Sequence, residues 1–202
     1  MNLSSARTQL EKLGAGRLSG DTTMEDFYLN QAKNWIEDKD DWPWLETTTT
    51  GSSPLTISDL RKVIYVADTT NDRLLKEADI IDIARRDPGI DAVGDPTRFY
   101  LDGLTSLKVW PVRTVALSVR YLKYSPELTT SDTPLIPTRY HMLWCDVAFY
   151  LYLQAREPQY VTGDMVARIN DEIDTMKRNF SNRDVNSIQN LYGSVYDWYT
   201  TE

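Results

Sequence analysis

The feature that most constrains the fold is a change in the spacing of apolar residues along the chain. Toward both ends they recur every three or four positions, as on one face of an α-helix, whereas residues 44–124 follow the pattern of short β-strands joined by turns. The chain is therefore predicted to be an α+β protein, a helical bundle that carries a β-rich insertion over residues 44–124. The predicted helices are 3–13, 23–41, 139–156 and 164–180.

The two N-terminal helices are predicted from their apolar stripes and their ends. Leu3, Ala6, Leu10 and Leu13 form the stripe of the first helix. The second begins at an N-cap, Thr22 or Thr23, and ends before Pro43 because proline restricts the residue that precedes it. Its inner face is predicted to contain Met24, Phe27, Tyr28, Ala32, Trp35 and Ile36.

Strands and turns are predicted for most of the insertion. The clearest strand is Thr114–Tyr124, with Val115, Leu117, Val119 and Tyr121 on one face. Residues 61–68 are apolar on both faces, which predicts a strand covered on both sides, with 73–76 as its hairpin partner. Residues 79–86 are predicted to form a short helix.

The C-terminal part contains two long helices and a tail. Residues 139–156 are apolar almost all round, which predicts a central helix, and 164–180 is predicted to pack antiparallel to it. Residues 1–180 are thus predicted to form one domain, followed by an extended tail over 181–202. The tail either docks on its own domain or binds a neighbouring subunit through Ile188, Leu191, Tyr192, Val195, Tyr196, Trp198 and Tyr199.

The aromatic content supports an interaction role. Six Trp and twelve Tyr among 202 residues exceed the needs of a core, and these residue types are favoured at protein interfaces. Four of the tryptophans are predicted to fill the core: Trp35, Trp42, Trp44 and Trp144.

The charge of the chain argues against a protein that grips nucleic acid. The formal net charge is −8, whereas DNA-binding proteins place Lys and Arg against phosphates. The densest charged run supplies a candidate acidic surface of Glu37, Asp38, Asp40 and Asp41. This run is either a solvated helix end or a surface to which DNA does not adhere.

The cellular compartment is also predicted from the sequence. The N-terminus has no secretory h-region, and no apolar run approaches the length of a membrane span. A single cysteine fits a reducing compartment. The expectation is a soluble product made in the cytoplasm, without membrane contact.

No catalytic, metal or cofactor residues are predicted. The one histidine, His141, and Cys145 share a helical face, but that helix is so apolar that packing is the favoured interpretation. Zinc would need further Cys or His ligands, and the glycines form no phosphate-binding loop. A small carboxylate-based hydrolase remains the alternative from another class, although Asp164, Asp171, Glu172 and Asp174 are predicted to lie on an exposed helix side.

The order of elements, with several short motifs, resembles the head-to-tail connector, or adaptor, proteins of tailed bacteriophages. The resemblance covers about residues 1–180 and rests on short motifs. They are Leu29-Asn30-Gln31-Ala32, Asp41-Trp42-Pro43-Trp44-Leu45, Arg98-Phe99-Tyr100-Leu101-Asp102-Gly103, Leu107-Lys108-Val109-Trp110-Pro111, Val119-Arg120-Tyr121-Leu122 and Leu135-Ile136-Pro137-Thr138-Arg139-Tyr140-His141.

This resemblance implies a structural virion protein rather than an enzyme, located in the neck between head and tail. It implies a ring of identical subunits, usually twelve, below the portal protein. Such a ring extends the DNA channel, which DNA crosses without specific binding, and docks the next neck or tail protein. A tail-completion or tail accessory protein is the alternative phage role.

Overall fold

The computed structural model describes residues 1–14 and 21–196, with side chains through Phe180. The chain divides into two compact units. The helical unit comprises Met1–Pro43 and Pro126–Glu202, and the β unit comprises Trp44–Ser125. The α+β class predicted from the sequence is confirmed.

Five α-helices lie within the described residues. They are α1 Leu3–Leu13, α2 Thr22–Glu37, α3 Ile80–Arg86, α4 His141–Arg156 and α5 Gly163–Tyr196. All except α3 belong to the helical unit, in which α4 contacts α1, α2 and α5. Burial of α4 side chains on most sides explains its nearly uniform apolar sequence.

The first helix matches its prediction, and the second is shorter than predicted. Side-chain oxygens cap both N-termini: Asn2 accepts a hydrogen bond from the Ser5 amide, and Asp21 accepts one from the Met24 amide. Asp21 therefore occupies the cap position predicted for a threonine. The second helix ends at Glu37, four residues before the predicted end at residue 41.

The buried face of α2 is rotated relative to the predicted one. Phe27, predicted to lie inside, is 53% exposed, and Met24 and Trp35 are half-buried. The residues that are buried recur at helical spacing: Glu25, Tyr28, Leu29, Ala32, Lys33, Ile36 and Glu37. Three of these residues are charged, so a prediction based on apolar residues alone placed the buried face at a neighbouring side of the helix.

The last helix is much longer than predicted. It begins at Gly163 and continues to Tyr196, so residues 181–196 are helical rather than extended. Ile169, Ile173 and Met176 are buried, which confirms the apolar stripe of its first half. The sequence predicted an end at 180 because that stripe loses its spacing after Phe180.

Within the described residues the β unit contains a seven-stranded sheet with the order β1-β7-β3-β4-β5-β6-β2. Its pairs are antiparallel except β4 and β5, and its two edge strands are joined by residues 53–54, which nearly closes the sheet. The strands are β1 Glu46–Ser52, β2 Leu55–Thr56, β3 Leu60–Asp68, β4 Arg73–Glu77, β5 Arg98–Asp102, β6 Ser106–Trp110 and β7 Ala116–Lys123.

The core of the β unit lies on one face of this sheet. Val115, Leu117, Val119 and Tyr121 are all buried there, as the alternation in the sequence predicted. The predicted hairpin of β3 with β4 is also present. The prediction that β3 is covered on both sides is wrong: a register shift between Val63 and Tyr65 leaves Ile64 38% exposed.

Candidate functional site

The residues proposed for subunit contact lie in the C-terminal segment, beyond the described side chains. The backbone of Ile188, Leu191, Tyr192, Val195 and Tyr196 belongs to α5. Trp198 and Tyr199 lie outside the described residues. The role of these seven residues in binding a neighbour therefore stays a prediction.

The predicted acidic surface is smaller than the sequence suggested. Asp38, Asp40 and Asp41 are exposed where the chain leaves α2. Glu37 does not belong to this surface because it is 5% exposed and faces Lys33. The three aspartates carry negative charge in one short stretch, which repels phosphate groups.

Lys33 is a buried charge that the sequence did not reveal. Its side chain is 1% exposed, and Nζ donates a hydrogen bond of 2.5 Å to the carbonyl oxygen of Pro126. Burial lowers the pKa of Lys33, and the carboxylates of Glu37 and Glu127 offset that effect only in part. Lysine is seldom fully buried, so this position is specialised.

A second bond pair joins α2 to the same segment of chain. The side-chain oxygen of Asn30 accepts from the Leu128 amide at 2.8 Å, and its side-chain nitrogen donates to the Leu128 carbonyl at 3.2 Å. Further along the same segment, the carbonyls of Asp132 and Thr130 accept hydrogen bonds from the amides of Leu3 and Ser4, respectively. Residues 126–132, called the return segment, are thus hydrogen-bonded to both α1 and α2.

His141 and Cys145 are packed into the helical unit. His141 is 2% exposed, and its Nε2 donates to the Ile136 carbonyl while Nδ1 accepts from the Met1 amino group, both at 2.8 Å. Burial raises the pKa of the Cys145 thiol to about 12. With both imidazole nitrogens engaged and the thiol protonated, the pair is unsuited to nucleophilic chemistry.

A charged groove of about 550 Å³ runs along the first half of α5. Arg139, Asp164, Arg168, Asp171 and Glu172 are among the residues that line it. As predicted, Asp164, Asp171 and Asp174 are exposed, whereas Glu172 is half-buried.

Two carboxyl groups near this groove have raised pKa values. Burial raises the pKa of Glu172, and the charge of Asp146 raises it further; burial also raises the pKa of Asp146. Asp146 pairs with Arg168 at 3.2 Å and does not line the groove. A shared substrate would therefore meet only one of the two acids, which argues against paired carboxylate catalysis.

The four tryptophans predicted for the core divide into two pairs. Trp42 and Trp144 are fully buried, and their indole nitrogens donate to the carbonyls of Ile36 and Leu29. Trp35 and Trp44 are half-buried, and the ammonium of Lys39 lies 3.9 Å from the ring centre of Trp35. The prediction is confirmed for the first pair only.

The β unit exposes apolar side chains that sequence reasoning did not single out. Leu104 is 87% exposed at the tip of the β5–β6 hairpin, and Val93 is 86% exposed on the loop before β5. Val93 forms an isolated bridge with Val112, which is itself 41% exposed. The sequence signal that could have identified Leu104 is its position directly after the Asp102-Gly103 turn, where polar residues are usual.

Within residues 1–14 and 21–196, the side chains that the structure describes, which end at Phe180, form no cluster of His, Cys, Asp and Glu that could hold a metal ion. Over the same ranges, every helix is too short or too polar to span a membrane.

Comparison with known proteins identifies the family of the chain. The family model described as SU10 adaptor protein matches residues 1–189, which is most of the chain. No curated protein matches the chain.

Proposed function

Because the chain belongs to the SU10 adaptor protein family, which is a phage adaptor family, we propose that it is the head-to-tail connector of a tailed phage. The family match over residues 1–189 is the observation that carries this proposal. The helical unit is the helical bundle of the adaptor, and the β unit is its insertion. The protein acts as a structural part of the virion neck rather than as an enzyme.

In this proposal identical copies form a ring of twelve below the portal protein. A ring needs two different surfaces on each subunit, one for each neighbour. The exposed Leu104 and Val93 support such contacts, since exposed apolar side chains are stabilised when a partner covers them. The face away from the portal docks the next neck or tail protein.

The charge of the chain suits a channel that DNA must cross. A net charge of −8 and the exposed Asp38, Asp40 and Asp41 give the subunit an electrostatic field that repels phosphate. DNA then passes through the ring without specific binding. A basic surface would bind the phosphates and slow this movement.

The segment 181–202 provides the contact with the portal in this proposal. Its apolar and aromatic residues, Ile188 to Tyr199, are of the types that carry most of the energy of protein interfaces. An α5 that continues to Tyr196 supports a helix as the docking element.

A phage with a stop codon in this gene tests the function. Loss of a connector should leave DNA-filled heads and complete tails that do not join, both visible by electron microscopy of infected-cell lysates. Supplying the gene in trans should restore joined particles. Normal heads with incomplete tails would instead show a tail-completion role, and intact infectious particles would refute both.

A further inference from the structure

We propose that Trp42, Arg139 and Tyr140 hold Phe180 in a clamp that fixes the direction in which α5 continues beyond Phe180. These four residues are called the aromatic clamp. The inference rests on the proposed function in one respect, namely that residues 181–202 are the segment that docks on the portal. The clamp itself stands on contacts among described residues.

Three side chains surround the ring of Phe180. The Trp42 ring lies 6.3 Å away, centre to centre, and nearly perpendicular at 86°, and the Tyr140 ring lies 6.2 Å away at 56°. Arg139 places its guanidinium carbon 5.3 Å from the Phe180 centre and 4.7 Å from that of Tyr140. Edge-to-face rings and a cation over a ring are attractive and directional, so they restrict how Phe180 can turn.

The residues that hold Phe180 are themselves fixed. Trp42 is 1% exposed, and its Nε1 donates to the Ile36 carbonyl at 2.8 Å. Tyr140 is 8% exposed, and its hydroxyl accepts from the side-chain nitrogen of Asn179 at 2.9 Å. Two successive residues of α5, Asn179 and Phe180, are therefore attached to a rigid support.

Two motifs far apart in the sequence meet at this point. Trp42 comes from the Trp-Pro-Trp motif after α2, and Arg139 and Tyr140 come from the Pro-Thr-Arg-Tyr-His motif that opens α4. Their convergence on one α5 residue gives them a shared role in holding that helix.

The apolar spacing of α5 changes at the clamp. Before it, Ile169, Ile173, Met176 and Phe180 follow steps of four, three and four, whereas the next apolar residue, Val185, comes five positions later. On a helix with 3.6 residues per turn, a step of five rotates the stripe by about 140°. The sequence past the clamp is therefore patterned for a partner other than α4, and the clamp sets where that partner is met.

Distance measurement by pulsed electron spin resonance on the isolated full-length chain tests the clamp. Spin labels go on Gln154→Cys, at the end of α4, and on Gln189→Cys; buried Cys145, with its high thiol pKa, should not react. The expected result is a single narrow distance distribution for the otherwise unchanged chain. Phe180→Ala should widen it at least twofold, and Phe180→Tyr, which keeps the aromatic ring, should restore it.

Two additional variants keep the test decisive. Arg139 is exposed, so Arg139→Gln removes the cation without affecting folding, and it should widen the distribution even if Phe180→Ala fails to fold. Arg178→Ala, on an exposed position of the same turn, is the matched control and should change nothing. An unchanged width in Phe180→Ala, or in Arg139→Gln when Phe180→Ala does not fold, overturns the clamp.

Portal binding is measured separately on the same variants. A widened distribution with normal portal binding would leave the clamp standing and show that residues 181–202 dock without a fixed direction of α5. An unchanged distribution with lost portal binding would overturn the clamp and leave the docking role of residues 181–202 standing.

Discussion

The ammonium group of Lys33 lies 2.5 Å from the carbonyl oxygen of Pro126, although the lysine side chain is almost completely buried. Pro126 is the first residue of the helical unit after the chain returns from the β unit. Together with the bonds between Asn30 and Leu128, this contact attaches the return segment to the middle of α2. Hydrogen bonds that are largely shielded from water therefore determine the path of the return segment.

Replacing Lys33 with methionine should destabilise the protein by about 1.5–3 kcal/mol, the usual range for a hydrogen bond to a charged group. Methionine keeps most of the packing volume but leaves the Pro126 carbonyl without its donor and Glu37 without the nearby positive charge. Urea unfolding followed by circular dichroism measures the change.

Lys12→Met is the matched control for this measurement. Lys12 is exposed on α1, so its replacement should change the free energy of unfolding by less than about 0.5 kcal/mol. Equal effects of the two substitutions would show that the buried bond contributes nothing.

Replacing Glu25 with glutamine should stabilise the protein at pH 7, by an amount on the order of 1 kcal/mol. Burial and then the nearby Glu11 raise the pKa of Glu25. A carboxyl group whose pKa is raised by folding contributes stability below its unfolded pKa, and that contribution is lost as pH rises through the folded pKa.

The advantage of Glu25→Gln should consequently shrink as the pH is lowered toward 4, where Glu25 is protonated in the folded state. Thermal unfolding of both proteins between pH 7 and pH 4 measures this difference in stability. The control variant Glu77→Gln, at an exposed position, should be as stable as the unchanged protein at every pH. A Glu25→Gln variant that is less stable at pH 7 would contradict the assigned cause.

The Cys145 thiol should resist modification while the protein is folded. Its pKa of about 12 leaves very little thiolate at pH 8, and its side chain is fully buried. Reaction with a maleimide should be at least about a hundredfold slower than in urea-unfolded protein, because both thiolate fraction and access are reduced. Mass spectrometry of timed samples gives both rates, and rapid labelling of the folded chain would disprove the packing described for α4.

Reversing the charge of the acidic surface should create affinity for DNA. The unchanged protein should not retard duplex DNA in a gel at about 50 mM salt, whereas the combined Asp38→Lys, Asp40→Lys and Asp41→Lys variant should do so. The retardation should disappear near 200 mM salt, as expected for phosphate contacts. Substituting asparagine at the same positions separates the loss of repulsion from new attraction, and retardation by the unchanged protein would contradict a channel without adhesion.

The parts of the fold that the sequence predicted are those with a local signal. The stripe of α1 and the alternation of Val115 to Tyr121 each identify an element and its buried face without reference to distant residues. The two-residue strand β2 carries too few residues for any pattern, so only its pairing with β6 reveals it.

The errors arose where a distant segment decides what is buried. The face of α2 that contains Glu25 and Lys33 reads as polar, and its burial depends on distant partners: Glu11 of α1 lies near Glu25, and the return segment, more than ninety residues later, binds Lys33. The extension of α5 was missed because its apolar spacing changes after Phe180, which looks like a helix end. In the same way, the convergence of Trp42 and Tyr140 on Phe180 depends on tertiary structure.

Electron microscopy of the purified protein mixed with purified portal rings from the same phage is the most direct test of the proposed connector role. The full chain should add a second ring of twelve subunits to one face of the portal, while a chain lacking residues 181–202 should fold but leave the portal bare. Portal rings that stay bare with the full chain at saturating concentration would contradict the connector role.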